Sequence, residues 1–211
     1  MKELFLELAG IAAHILAGDD VRSRWNDPSA LRGYQVGGLA GHLVRAVLTV
    51  ESYLDAPEPA EDRELSTAVD YFAAVLGADD PVDSEFHAAV RRRGAEAAAD
   101  GPEVLLASLQ SATARLSARL RETDTAQRRV VVLQDLTLTL DEYLRTRVVE
   151  LLIHLDDLAA SLGHPFPDVP DSVFRVVAGL LGELASIRAG GLETVRSLAR
   201  AERHPQPVRA L

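Results

Sequence analysis

The stretch RVVELLIHLDDLAASLG, residues 147–163, decides the fold. Leu144 just ahead of it, then Val148, Leu151, Leu155 and Leu158, recur every three or four residues, which places them on one face of a helix. Arg147, Glu150, His154 and Asp157 follow the same spacing and form a polar stripe beside that face. Val149 and Ile153 border the stripe on its other edge, so these charges lie between apolar rows. Arg145 and Asp156 sit about 130° around the helix from Glu150, at ~100° per residue, and offer a different face to water. With that face wet, the stripe points into protein, where a carboxylate and an imidazole each need a partner.

The boundaries of this helix are legible too. Thr139 and Glu142 have capping-box spacing at its start, and Gly163 with HPFPDVP stops it. Working outward, Leu4, Leu8, Ile11 and Ile15 mark an amphipathic helix over about 2–17. RSRWNDPSALRGYQ reads as a loop. Leu39, Leu43, Val47, Val50 and Leu54 mark a helix over 36–55, stopped by the exposed stretch APEPAEDRE. Leu65 to Ala99 reads as two shorter helices separated by GADDPVD. Pro102 opens a helix through Leu105, Leu109, Leu116 and Leu120 to about 122. RRVVVLQDLTLTL, with β-branched residues and Leu/Thr alternation, reads as an extended segment or small hairpin. A last helical pair, about 171–188 and 192–202, is divided by Gly190 and Gly191.

Long helices with no alternation of strand and helix predict an all-α fold: an antiparallel four-helix bundle of 2–17, 36–55, 102–122 and 141–162, with extra helices and one small hairpin. The expected organisation is a bundle over 1–165 and a helical extension over 166–211 packed on it. With 211 residues, 47% of them hydrophobic, the chain can bury one large core.

Composition narrows the function. The net charge of −10 argues against a nucleic-acid or anionic-membrane surface, and the run Arg91 to Arg93 reads as a solvated helix end. No cysteine is present, so thiolate metal ligation and an internal thiol nucleophile are excluded. The N-terminus lacks the basic region and apolar core of a signal peptide, and no segment has the ~18 apolar residues of a membrane span. The expectation is a soluble cytoplasmic protein.

Glu150 and His154 are both suited to a divalent metal. A third donor is His42, at the border of the apolar face of the 36–55 helix, and bundles commonly build metal sites from inward-pointing histidines and carboxylates on facing helices. Two histidines and one glutamate leave a coordination position open, the architecture of a catalytic site. Spacing alone leaves another reading standing: a solvated stripe with Arg147–Glu150 and His154–Asp157 pairs and a lone His42. His14 reads as a core-edge or surface histidine, Trp25 as packing for its loop, and His87, His164 and His204 receive no role.

At these residues the sequence resembles the N-terminal domain of mycothiol-dependent maleylpyruvate isomerases, within the DinB-like metal-binding bundles. WNDPSALRGYQVGGLAGHLVRAV resembles the family's Trp, Pro-Ser, Gly, then hydrophobic-x-His-Leu segment. RTRVVELLIHLDDLAASLG resembles its Arg, Glu, His, Asp-Leu-Ala and Leu-Gly segment, and the likeness spans about residues 1–165. It implies a divalent metal, usually zinc, held by His42, Glu150 and His154, with Arg147 and Asp157 in support. It also implies mycothiol as a thiol cosubstrate and a small electrophile as substrate, hence a thiol transferase or an isomerase. Two positions depart from the pattern: Asp156 stands in place of an aromatic, and Tyr34 in place of a Trp. The isomerases carry a further C-terminal domain that helps hold the thiol, whereas the residues after HPFPDVP read here as two helices. Three rival expectations remain: a metal- or ligand-binding module without turnover, whose C-terminal helices form a partner or homodimer surface; an iron site working with oxygen; and a metal-free bundle.

Overall fold

The computed structural model describes residues 1–76, 84–200, 202 and 210. Nine helices and one two-stranded sheet are found among the described residues: α1 Lys2–Leu16, α2 Asp19–Ser23, α3 Val36–Asp55, α4 Ala68–Leu76, α5 Glu85–Ala97, α6 Pro102–Glu122, β1 Arg129–Val131, β2 Thr137–Thr139, α7 Leu140–Leu162, α8 Asp171–Ala189 and α9 Gly191–Ala199. The all-α bundle expected from periodicity is there, and α3 and α6 have the expected bounds. The separator GADDPVD, residues 77–83, lies outside the described residues, as does His204.

Helix ends follow local chemistry. Thr139 Oγ1 accepts the Glu142 N–H at the start of α7, and Gly163 ends it in the left-handed region at φ 72°. His164 N–H then reaches back to the Ala159 carbonyl, closing a Schellman turn. The capping box is only half made, because the Glu142 carboxylate accepts the Ala68 N–H at the start of α4 instead. α2 was not expected. It is a single turn whose Asp19 and Asp20 favour the positive end of a helix.

Four helices, α1, α3, α6 and α7, enclose the core, and their directions can be read from their contacts. The Met1 amino group lies 3.5 Å from Asp141 and His164 lies 2.9 Å from Asp20, so α1 and α7 run the same way. Tyr143 donates to Thr49 while His154 meets His42, so α3 runs against α7. Arg115 pairs with Glu51 and Arg119 with Asp55, so α6 runs with α3. Two helices therefore point each way. The crossover between α3 and α6 carries α4 and α5, which gives the chain the length to return to the end where α3 began.

Phe5, Leu8, Leu39, Leu43, Leu109, Leu116, Leu144, Leu151 and Leu155 are sealed from solvent between these helices. Val173, Val177, Leu180 and Leu184 bury one face of α8, which packs on α7 and α4, and α9 packs on α8. The hairpin pairs Arg129 with Thr139, Val130 with Leu138 and Val131 with Thr137. Leu/Thr alternation does not map onto inside and outside: Thr137 is buried because Arg63 Nε donates to its hydroxyl and Leu65 bridges to its backbone. Residues 56–64 form the expected exposed stretch, tied down by Arg128 and Arg129.

α5 crosses α3 with almost no space between backbones. A Cβ on Gly41 would stand 2.1 Å from the Gly94 carbonyl oxygen, and one on Gly94 would stand 2.7 Å from the Gly38 oxygen. Gly37 makes the same room for Trp25, whose ring a Cβ there would overlap at 2.6 Å. Trp25 thus packs its loop onto α3, as expected. No helix among the described residues is long and apolar enough to cross a membrane.

Candidate metal centre

α7 buries its apolar rows against α1 and α3, which turns the stripe inward. Arg147 is 7% exposed, while the side chains of Glu150, His154 and Asp157 are 23, 14 and 24% exposed at a shallow opening. α3, running against α7, delivers His42 to the same point. His42 Nε2 lies 3.0 Å from His154 Nε2 and 3.6 Å from Glu150 Oε2, and His154 Nε2 lies 3.4 Å from that oxygen. His154 Nδ1 donates to Asp157 Oδ2 at 3.0 Å, which fixes the ring with Nε2 toward His42 and Glu150.

Charges in the cluster are set by one another. Burial would raise the Glu150 carboxyl, but His154, His42 and Arg147 hold it well below the usual carboxylate range. Burial also opposes charge on His154, yet the carboxylates of Asp157 and Glu150 outweigh it and lift its pKa to about 9. Burial pushes His42 down, with the neighbouring His154 adding to the effect against the pull of Glu150. Without metal the cluster is therefore an imidazolium, His154, donating toward neutral His42 and flanked by two carboxylates.

The donor set fits a divalent metal. One atom each from His42, Glu150 and His154 lies within 4.8 Å of the others. Their three separations form a triangle whose corners are all about 1.9 Å from a common centre, just inside the ~2.0–2.2 Å of Zn–N and Zn–O bonds. Two histidines and a carboxylate from two facing helices leave the solvent side open.

Arg147 does not make the pair that a solvated stripe would give it. It donates to the Thr146 and Tyr71 hydroxyls, and its guanidinium lies over the rings of Tyr71 at 5.4 Å and Tyr143 at 4.9 Å. No Arg147–Glu150 hydrogen bond is made among the described residues, so of the two pairs in the solvated-stripe reading only His154–Asp157 forms. The other histidines stay away. His14 is exposed on α1, His87 meets Phe86 edge-on, and His164 pairs with Asp20. Arg91 and Arg93 are half-buried mid-helix while Arg92 is exposed, so the run is not a helix end. Two residues to which the sequence assigns no site role lie near the centre: Arg91, whose Cδ is 3.1 Å from where a Gly33 Cβ would stand, and Tyr34, noted only as a departure from the family's Trp, whose ring lies 5.9 Å from that of His42.

This geometry can be set beside known proteins. Residues 9–159 match the family model of the mycothiol maleylpyruvate isomerase N-terminal domain. The chain belongs to that family. Among solved structures, this family member is similar to the mycothiol-dependent maleylpyruvate isomerase, with a TM-score of 0.53 at 21% identity over 88% of this chain and 70% of the other. A mutant of that isomerase matches with the same TM-score and coverage at 20% identity. At this identity the likeness establishes the shared fold. No curated protein matches.

Proposed function

We propose that this chain is a cytoplasmic, divalent-metal-dependent enzyme that binds a low-molecular-weight thiol, of the mycothiol type, and directs it at a small electrophile. The observation that carries the reading is the convergence of His42, Glu150 and His154 donor atoms at a half-buried opening in a cysteine-free chain. A divalent metal there, most simply zinc, supplies the charge that keeps a bound thiol deprotonated at neutral pH, where a free thiol of pKa ~8.5 is only a few per cent thiolate.

The protein's own groups prepare that chemistry. His42 and His154 offer neutral nitrogens and Glu150 one negative charge. Asp157 orients His154 and takes up its Nδ1 proton's hydrogen bond. Arg147, held over the edge-on pair of Tyr71 and Tyr143, keeps a fixed positive charge near Glu150. With a divalent ion in place the centre is net positive, which favours an anionic ligand. No cysteine competes for the metal or the electrophile. A thiolate attacking an electrophilic carbon would form a carbon–sulfur bond as that carbon's leaving group departs, which is transfer; one adding to a conjugated double bond would, after rotation about the resulting single bond, be expelled as the double bond re-forms, which is isomerisation.

Elemental analysis of tag-free protein tests the reading, alongside folded His42→Ala, Glu150→Ala and His154→Ala variants. Near one zinc per chain, lost in all three variants, supports it. Absence of metal after reconstitution, or binding indifferent to the three changes, sinks it.

A second reading, a binding module acting through a dimer or partner surface, is favoured by one observation. Ile187, Leu192, Val195 and Leu198 are each more than half exposed around α9. Sedimentation of wild type against Leu198→Glu separates the readings: a monomer in both cases leaves α9 without a homodimer role.

A further inference from the structure

The loop between α2 and α3 is fixed to both helices that carry the donor atoms. At its start it docks on α3, where Val36 N–H donates to the Asp27 carbonyl and Gly37 N–H to the Trp25 carbonyl. In its middle Ala30 N–H donates to Ser161 Oγ at 2.8 Å, and that hydroxyl donates to the Asp157 carbonyl at 2.6 Å. Ser161 stands one turn beyond Asp157, so the loop spans from the first turn of α3 to the last turns of α7, beside the metal centre.

Tyr34 is the side chain this loop places next to the centre. Its ring lies over Gly38, with Cδ1 3.9 Å from where a Cβ would stand, and 5.9 Å from the His42 ring at 46°. Gly38 is one helical turn before His42, so the ring rests along the same edge of α3. The charged groups facing it come from two helices: Arg91 and Arg93 of α5, Glu150 and Asp157 of α7. The Tyr34 hydroxyl makes no hydrogen bond among the described residues. A half-buried phenol whose ring adjoins His42, and whose hydroxyl has no partner among the described residues, can donate to an external acceptor.

We propose that the Tyr34 hydroxyl donates a hydrogen bond to the sulfur of the small thiol bound at the His42, Glu150 and His154 centre, making Tyr34 a ligand contact that none of the metal donors duplicates. This rests on the function proposed above. The ring holds the loop against α3, and the hydroxyl serves the ligand, so the two roles separate in a Tyr34→Phe variant.

The experiment uses the full chain loaded with cobalt(II) and titrated with N-acetylcysteine, followed by the sulfur-to-cobalt charge-transfer band. Tyr34→Phe is expected to take up cobalt in the same ratio and melt at the same temperature as wild type. It is expected to bind N-acetylcysteine about tenfold more weakly, the scale of one lost hydrogen bond to a charged acceptor, with a shifted band energy. Equal affinity and an unchanged band overturn the Tyr34 contact while leaving the metal and thiol readings intact. Cobalt uptake without a thiol band in wild type overturns the contact and the thiol reading but not the metal. No cobalt uptake overturns all three.

Discussion

Replacing Gly41 with alanine tests the packing that sets α5 against the helix that carries His42. The added Cβ would stand 2.1 Å from the Gly94 carbonyl oxygen and 3.1 Å from the Ala98 Cβ. A carbon–oxygen contact needs about 3.3 Å, so the helices must part by roughly 1 Å. The obstruction is backbone, which cannot swing aside as a side-chain tip would. A gap of that size forfeits about a quarter to a half of each contact across the crossing. Overpacking of this kind costs about 2–3 kcal/mol, which in a domain of this size lowers the melting temperature by about 4–12 °C. Gly10→Ala is the control. Gly10 is exposed within α1 with nothing within 4 Å of its Cβ position, so the same substitution is expected to stabilise by about 0.5–1 kcal/mol through helix propensity. Circular-dichroism melts of the two variants should move in opposite directions. A Gly41→Ala protein that melts at or above wild type refutes the close crossing. α3 is also held by α1, α6 and α7, so α5 is the element that yields, and metal content should persist in the folded variant.

Three further outcomes follow from the site. Asp157→Asn removes the carboxylate that orients His154, and zinc affinity in competition with a chromogenic chelator should fall about 10–100-fold; a change under twofold contradicts the role. Because His154 must lose a proton to bind metal and its pKa is about 9, zinc affinity should climb about tenfold per pH unit from 7 toward 9 and then level. The sign for metal-free protein is opposite. The folded pKa lies above the unfolded value near 6.5, so the stabilisation from His154 is complete below about pH 6.5 and lost as pH rises through about 9, which melts of chelator-treated protein across that window will register. Arg147→Ala empties the space over Tyr71 and Tyr143 and should cost about 2–4 kcal/mol in urea unfolding. Arg147→Lys should recover little of this, since an ammonium lacks the planar fork that reaches both the Thr146 and Tyr71 hydroxyls.

The sequence by itself determined the long helices and which residues form the stripe, because both depend on spacing along one element; that the stripe faces inward took the packing of α7 on α1 and α3. Leu144, Val148, Leu151, Leu155 and Leu158 define a face whatever packs on it, and Thr139 and Gly163 bound the helix through hydrogen bonds made within a few residues. It also made His42, Glu150 and His154 candidates, since each lies at the border of an apolar face. Partners that come from far along the chain were not legible. Glu142 capping α4, Arg147 over Tyr71 and Tyr143, and Tyr34 beside His42 answer to no periodicity.

Only the tertiary structure decided that α3 and α7 run in opposite directions and meet at one level, bringing His42 to 3.0 Å from a histidine 112 residues away. Local spacing fixes which residues share a helix face. Which two faces meet, and in what register, is fixed by how the whole core fills: by Gly41 and Gly94 admitting α5, Trp25 seating on Gly37, and a crossover long enough to turn α6 the same way as α3.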